Sequence, residues 1–208
     1  MVSRMARLLR FVAVVALVGG ATASVTACSG DPGPIVTETP SPTRTVEATP
    51  SPSPTPTVTP EEEMLAQIPE DARGEDFASA SNFVEFYVHL YPGLFEHEPN
   101  TALFERLSVA GCVFCESNLE SSAETASAGA YSKGGIFTFD AGIGQGGPRD
   151  DGFTYVGRRF SVTDTVTYLA DGSEYKTVLG GTGIAALKLR YEDGSWRVYE
   201  AEFQYDDE

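Results

Sequence analysis

Three cysteines, two histidines and a scatter of carboxylates are the groups in this 208-residue chain whose types and spacing could do chemistry. Cys28 follows Val25-Thr26-Ala27 at the end of an uncharged run, with Arg4, Arg7 and Arg10 ahead of it. That spacing has the form of a bacterial lipobox, in which the cysteine thiol receives a diacylglycerol and the cysteine becomes the first residue. A basic start, a short aliphatic middle and a small-residue exit make the layout of a secretory signal over residues 1–27. The alternatives are a signal cleaved elsewhere or an uncleaved helix, with Cys28 incidental. Small and polar residues fill the second half of 11–27, whereas spanning a bilayer takes about 20 apolar residues. The arginines are not paired, which favours general secretion over twin-arginine export. The expectation is a chain held by lipid on Cys28 at the extracytoplasmic face of the cell membrane.

Cys112 and Cys115 are separated by two residues. Outside the cytoplasm such a pair is normally oxidised. A disulfide here pins the loop before a helix, at about 2–3 kcal/mol by loop entropy. The sharper alternative is a redox pair, activated at a helix N-terminus that lowers a thiol pKa. Redox pairs of thioredoxin type follow a strand within a βαβ unit. Here a helical pattern precedes the pair, and Glu116 opposes thiolate formation. Zinc fits less well, because no further Cys or His stands at ligand spacing.

The remaining candidates are weaker. His89 falls opposite the apolar stripe of its helix, and His97 lies in a Glu-flanked loop. No serine stands in a nucleophile-elbow motif. Gly142, Gly144 and Gly147 match G-x-G-x-x-G, but Pro148-Arg149-Asp150-Asp151-Gly152 follows where a dinucleotide site needs a helix. A hairpin loop is the better reading. Arg158 and Asp164 sit on one predicted strand face and are weak candidates to line a pocket, against the alternative that they are paired or solvated near the strand's ends. The sequence offers no catalytic set and no metal site, and it requires no cofactor.

Positioning these groups falls to three regions. Residues 28–60 hold nine of the chain's 13 prolines among Ser and Thr, so neither helix nor sheet can form there. The expectation is an extended spacer reaching up to ~100 Å at about 3.1 Å per residue, open to O-linked sugars. Without the three arginines of residues 1–27, the chain keeps 11 basic and 30 acidic residues, a formal charge of −19 against −16 for the whole. Such a balance repels nucleic acid, so no nucleic-acid partner is expected.

Residues 61–208 make one domain of ordinary size. Residues 75–91 carry an apolar stripe at helical spacing, ended by Pro92-Gly93. A second helix follows the cap Asn100, and a third spans 116–128. From Gly134 the period becomes two, with strands over 136–141, 153–168, 175–191 and 196–205. Turns at 170–173 and 192–195 join the last three into an antiparallel meander. Gly180, Gly181 and Gly183 predict a bulge or bend. The fold class is α+β, three helices packed on a curved, mainly antiparallel four-stranded sheet.

With Ala80, Phe83, Phe86 and Tyr87 on the first helix, Leu107-Ser108 ending the second, and Cys112-Val113-Phe114-Cys115, the domain resembles an actinobacterial lipoprotein family, domain of unknown function 6318. The likeness covers residues 68–145 and departs at 91–98. The helices, the long-stranded sheet and the final Asp193-Gly194-Ser195-Trp196-Arg197-Val198 also resemble the nuclear transport factor 2-like cone fold. The family carries no established activity, so the resemblance implies an address and a fold. Two functional classes follow. One is a non-enzymatic envelope protein binding a small apolar ligand or another envelope protein. The other is an isomerase- or hydrolase-like cone enzyme with Asp164 or Asp140 as base, which needs a buried carboxylate with raised pKa.

Overall fold

A computed structural model describes residues 59–206. The signal segment, Cys28 and all but the end of the spacer lie outside the described residues. Within them the chain is α+β, with four α-helices and antiparallel sheets. Helix α1 (Pro60–Leu65) is short and begins at a Thr59–Glu62 capping box. Helix α2 (Phe77–Leu90) starts where the Asp76 carboxylate accepts the Ser79 N–H at 2.9 Å, and Pro92 stops it. A 3-10 turn, Pro92–Phe95, follows. Helix α3 (Ala102–Leu107) begins at Thr101, one residue beyond the predicted cap. Helix α4 (Val113–Ser127) begins three residues before the predicted start, because Cys112 is its N-cap.

Eight strands replace the predicted four: β1 (Tyr131–Gly134), β2 (Phe137–Phe139), β3 (Gln145–Pro148), β4 (Thr154–Val162), β5 (Thr165–Tyr168), β6 (Glu174–Val178), β7 (Gly181–Glu192) and β8 (Ser195–Tyr205). They form two sheets. The larger has the order β2-β4-β7-β8, with β3 also on β4; the smaller has β1-β5-β6. The meander and both of its turns are present as read. Two differences account for the count: β1 and β3 lie outside the predicted strands, and the second and third predicted strands each break in two. Together these two form one long hairpin, whose proximal half (β4, β7) lies in the large sheet and whose distal half (β5, β6) lies in the small one.

The break has a local cause. At Gly180 a Cβ would stand 2.1 Å from the Val162 carbonyl oxygen, so only glycine lets the two strands close at the bend. Asp164 Oδ1 accepts the Gly180 N–H at 2.7 Å across it. Gly134, at φ +87°, brings the β1–β2 connection against the Asp164 carbonyl, where a Cβ would lie 2.0 Å away.

The core lies between α2 and one face of the large sheet. Ala80, Phe83, Val84, Tyr87 and Val88 recur at helical spacing and are buried. They meet Val156 and Phe160 of β4, Leu187 and Leu189 of β7, and Trp196 and Val198 of β8, which alternate as a half-buried sheet requires. Each such side chain contributes roughly 1.5–3 kcal/mol on burial. A bulge opposite Lys188/Leu189 changes the phase of β8. Phe203 stands seven residues after Trp196 and would face away from it in an unbroken strand, and the bulge turns it inward against Phe114, Phe137 and Phe160.

Candidate functional site

The Cys112–Cys115 disulfide is formed, with Cα atoms 5.2 Å apart, and both residues are fully buried. Cys112 Sγ accepts the Cys115 N–H as a helix cap. The Tyr87 hydroxyl lies 3.2 Å from Cys115 Sγ and 2.8 Å from Ser108 Oγ, beneath the stacked ring of Phe104. Burial pushes the Tyr87 phenol well above its ordinary pKa, so it stays a neutral hydrogen-bonding group. Thiol–disulfide exchange needs access to a sulfur. This geometry gives none, and the pair braces the first turn of α4, which the Tyr87 hydroxyl of α2 contacts.

Arg158 shares the inward face of β4 with Val156 and Phe160, as its spacing implied, and it is 4% exposed. It does not line either of the two large cavities. Its guanidinium donates to Ser81 Oγ (2.9 Å), Glu85 Oε2 (2.8 Å) and the carbonyls of Gly142 (2.8 Å) and Asp140 (3.2 Å). These bonds tie α2 to β4 and to the loop carrying Gly142 and Gly144. Asp164 is not on that face. It falls in the break after β4, is exposed, and holds the Gly180 N–H. Asp140 is also exposed. Neither carboxylate is desolvated, and the structure does not bring the two predicted pocket residues together.

Gly142 and Gly144 lead into β3, Gly147 lies within it, and β3 forms a hairpin with β4 where a dinucleotide site needs a helix. His89 is exposed, with Nε2 3.1 Å from the Phe137 carbonyl oxygen. Among the described residues no three His, Cys, Asp or Glu side chains gather as metal ligands, and no helix is long and apolar enough to cross a membrane.

The site that emerges instead is a groove of about 620 Å³ at the bend of the long hairpin. One wall is aromatic: Tyr91, Phe95, Phe137 and Tyr205. Tyr91 and Phe137 continue inward through Phe114, Phe203 and Phe160, so this wall is backed by the core. The opposite wall is the inner face of the small sheet. The register places Ser132, Thr165 and Thr167 on one side, and Ser132 Oγ meets Thr167 Oγ1 at 3.0 Å. Ile136 and Leu179 complete the rim, 57% and 74% exposed.

The charged residues of the lining are Glu96 and Lys133, beside His97. Lys133 Nζ sits 5.6 Å and 5.5 Å from the stacked rings of Tyr131 and Tyr168, and the His97 ring lies 5.2 Å from Tyr131. Burial raises the Tyr91 phenol above its usual pKa, reinforced by Tyr205, and burial raises Tyr205 itself. Both hydroxyls therefore stay neutral around pH 7. The arrangement can hold a body with an apolar face against the rings and a hydrogen-bonding face against the hydroxyl row.

A second cavity of about 610 Å³ opens beside Val113 and Phe114 of α4. Lys188 and Glu200, paired at 3.0 Å, stand in its wall, and Val113 is its one large apolar residue exposed beyond half. The first groove combines more exposed apolar surface with fewer fixed charges. Sequence reasoning missed it because Ile136, Val178, Leu179 and Tyr205 come from separate stretches of the chain. The one local signal was Val178-Leu179, an apolar pair ending an otherwise polar strand just before Gly180.

No family model matches the chain, and no curated protein matches it. Among solved structures the chain is similar to the intermembrane space region of the chloroplast protein ARC6, at 13% identity over 64% of this chain and 99% of that one, with a TM-score of 0.48. It is also similar to Aln2 from a Streptomyces species, at 16% identity over 62% and 88%, with a TM-score of 0.35.

Proposed function

We propose that this protein is a lipid-anchored, extracytoplasmic binding protein whose groove at the hairpin bend takes a small apolar ligand. It belongs, in this proposal, to the actinobacterial lipoprotein family with domain of unknown function 6318, and its domain is a cone of the nuclear transport factor 2 kind. The observation that carries the binding role is the exposed apolar lining: Ile136, Val178, Leu179 and Tyr205 stand around one concavity instead of being scattered. The exposed Asp140 and Asp164 favour binding over acid–base catalysis. The anchor rests on the sequence around Cys28.

The neutral fluorophore N-phenyl-1-naphthylamine tests the groove, because the acidic chain does not repel it. Saturable fluorescence enhancement is expected with the full chain, and its loss with Ile136→Glu and Leu179→Glu, which alter exposed positions. Unchanged binding in the double variant overturns the proposal. For the anchor, Cys28→Ala releases the protein from membranes or leaves the precursor uncleaved; unaltered fractionation and mass contradict lipidation.

A further inference from the structure

The sheet edges are not treated alike. The free side of β8 is covered where Ser108 bridges Val198 and the Val109 N–H donates to the Val198 carbonyl. At β2 the Phe137 carbonyl meets His89, and β3 is a four-residue edge ending in Pro148. Strand β6 ends the order β1-β5-β6 and is exposed at every residue. It carries Tyr175, 70% exposed, at a register shift that leaves this residue without a partner on β5. Such an edge is a template for another strand unless something blocks it.

A lone lysine blocks an edge by like-charge repulsion. Here Lys176 is two residues from Glu174, with Tyr175 between them. Antiparallel pairing about Tyr175 sets Glu174 against Lys176 twice, Ser173 against Thr177 twice, and Tyr175 against itself. Among the described residues neither Glu174 nor Lys176 takes part in an ion pair or a side-chain hydrogen bond within the chain. The five residues are thus complementary to their own reverse, which is what an isologous two-fold contact requires.

We infer that β6 is a self-association edge, and that two copies of this chain pair antiparallel about Tyr175 into a six-stranded sheet. The contact is centred on Tyr175, which does not line the groove.

Sedimentation equilibrium of the full chain tests this. A concentration-dependent dimer is expected. Lys176→Glu raises its dissociation constant roughly tenfold or more, since two attractive pairs become repulsive. Adding Glu174→Lys to Lys176→Glu restores dimerisation, because the swapped sequence is again complementary to its reverse. In a Cys28→Ser background, Tyr175→Cys cross-links to itself under mild oxidation, since directly opposed residues lie within disulfide range. Thr138→Cys, exposed on β2, does not. A monomer at every concentration, a dimer indifferent to Lys176→Glu, or no rescue by the double swap overturns the inference.

Discussion

Between Val162 and Thr165 on one strand, and Val178 and Gly181 on the other, a single hairpin passes from one environment into another. In the proximal half, β4 alternates buried and exposed positions under α2. In the distal half, β5 is half-buried throughout and β6 is exposed throughout. The proximal half supplies stability. The distal half leaves apolar and hydroxyl side chains uncovered, and these form the groove and the free edge. The exposed apolar lining thus sits where the second layer stops, on strands that continue the packed half.

Substitution separates the two halves. Phe160→Ala, in the packed half, is expected to lose about 3–5 kcal/mol in urea unfolding, while Leu179→Ala stays within about 0.5 kcal/mol. Similar losses at both would erase the distinction. Next in size is Arg158→Met. It leaves the Gly142 and Asp140 carbonyls and the Glu85 carboxylate without their donor, while Ser81 Oγ keeps the Gly144 N–H, a loss of about 2–3 kcal/mol by the same measurement. Apolar-probe binding is retained, because Arg158 lies outside the groove.

Gly180→Ala acts on the boundary between the halves. Its Cβ collides with the Val162 carbonyl, so about 1–2 kcal/mol is lost and probe affinity falls with it. Full affinity in that variant would disconnect the bend from the groove.

The smallest effect is in acid. The Ser79 N–H holds the Asp76 carboxyl below its ordinary 3.8, and the Thr182 hydroxyl and Arg159 do the same for Asp206. A depressed folded-state pKa contributes fully above the unfolded value and is lost as pH falls through the folded one. Melting temperature is therefore expected to hold from neutrality to about pH 5 and to fall below about pH 4. Asp76→Asn should flatten part of that fall.

Much of the packed half was legible in the sequence. The stripe from Ala80 to Tyr87 and the alternation of Val156, Phe160, Val198 and Trp196 are periodic signals of burial, and Asp193-Gly194 marks a tight turn at φ 51° and 80°. The distal half was not legible, for the same physical reason. Period-two alternation runs unbroken across residues 162–165, while the break is enforced at long range by Gly180 and Asp164. The phase of Phe203 was lost to a bulge that leaves no mark in residue type. Arg158 was placed on the correct face, but its four acceptors come from α2 and the loop beyond β2, which strand periodicity cannot identify.

The most direct test of the binding account is titration of N-phenyl-1-naphthylamine into the full chain and into its Ile136→Glu, Leu179→Glu variant, with unfolding followed in parallel. A functional groove predicts saturable binding that the double variant loses while its stability stays within about 0.5 kcal/mol of the parent. Equal binding by both proteins, at equal stability, would contradict it.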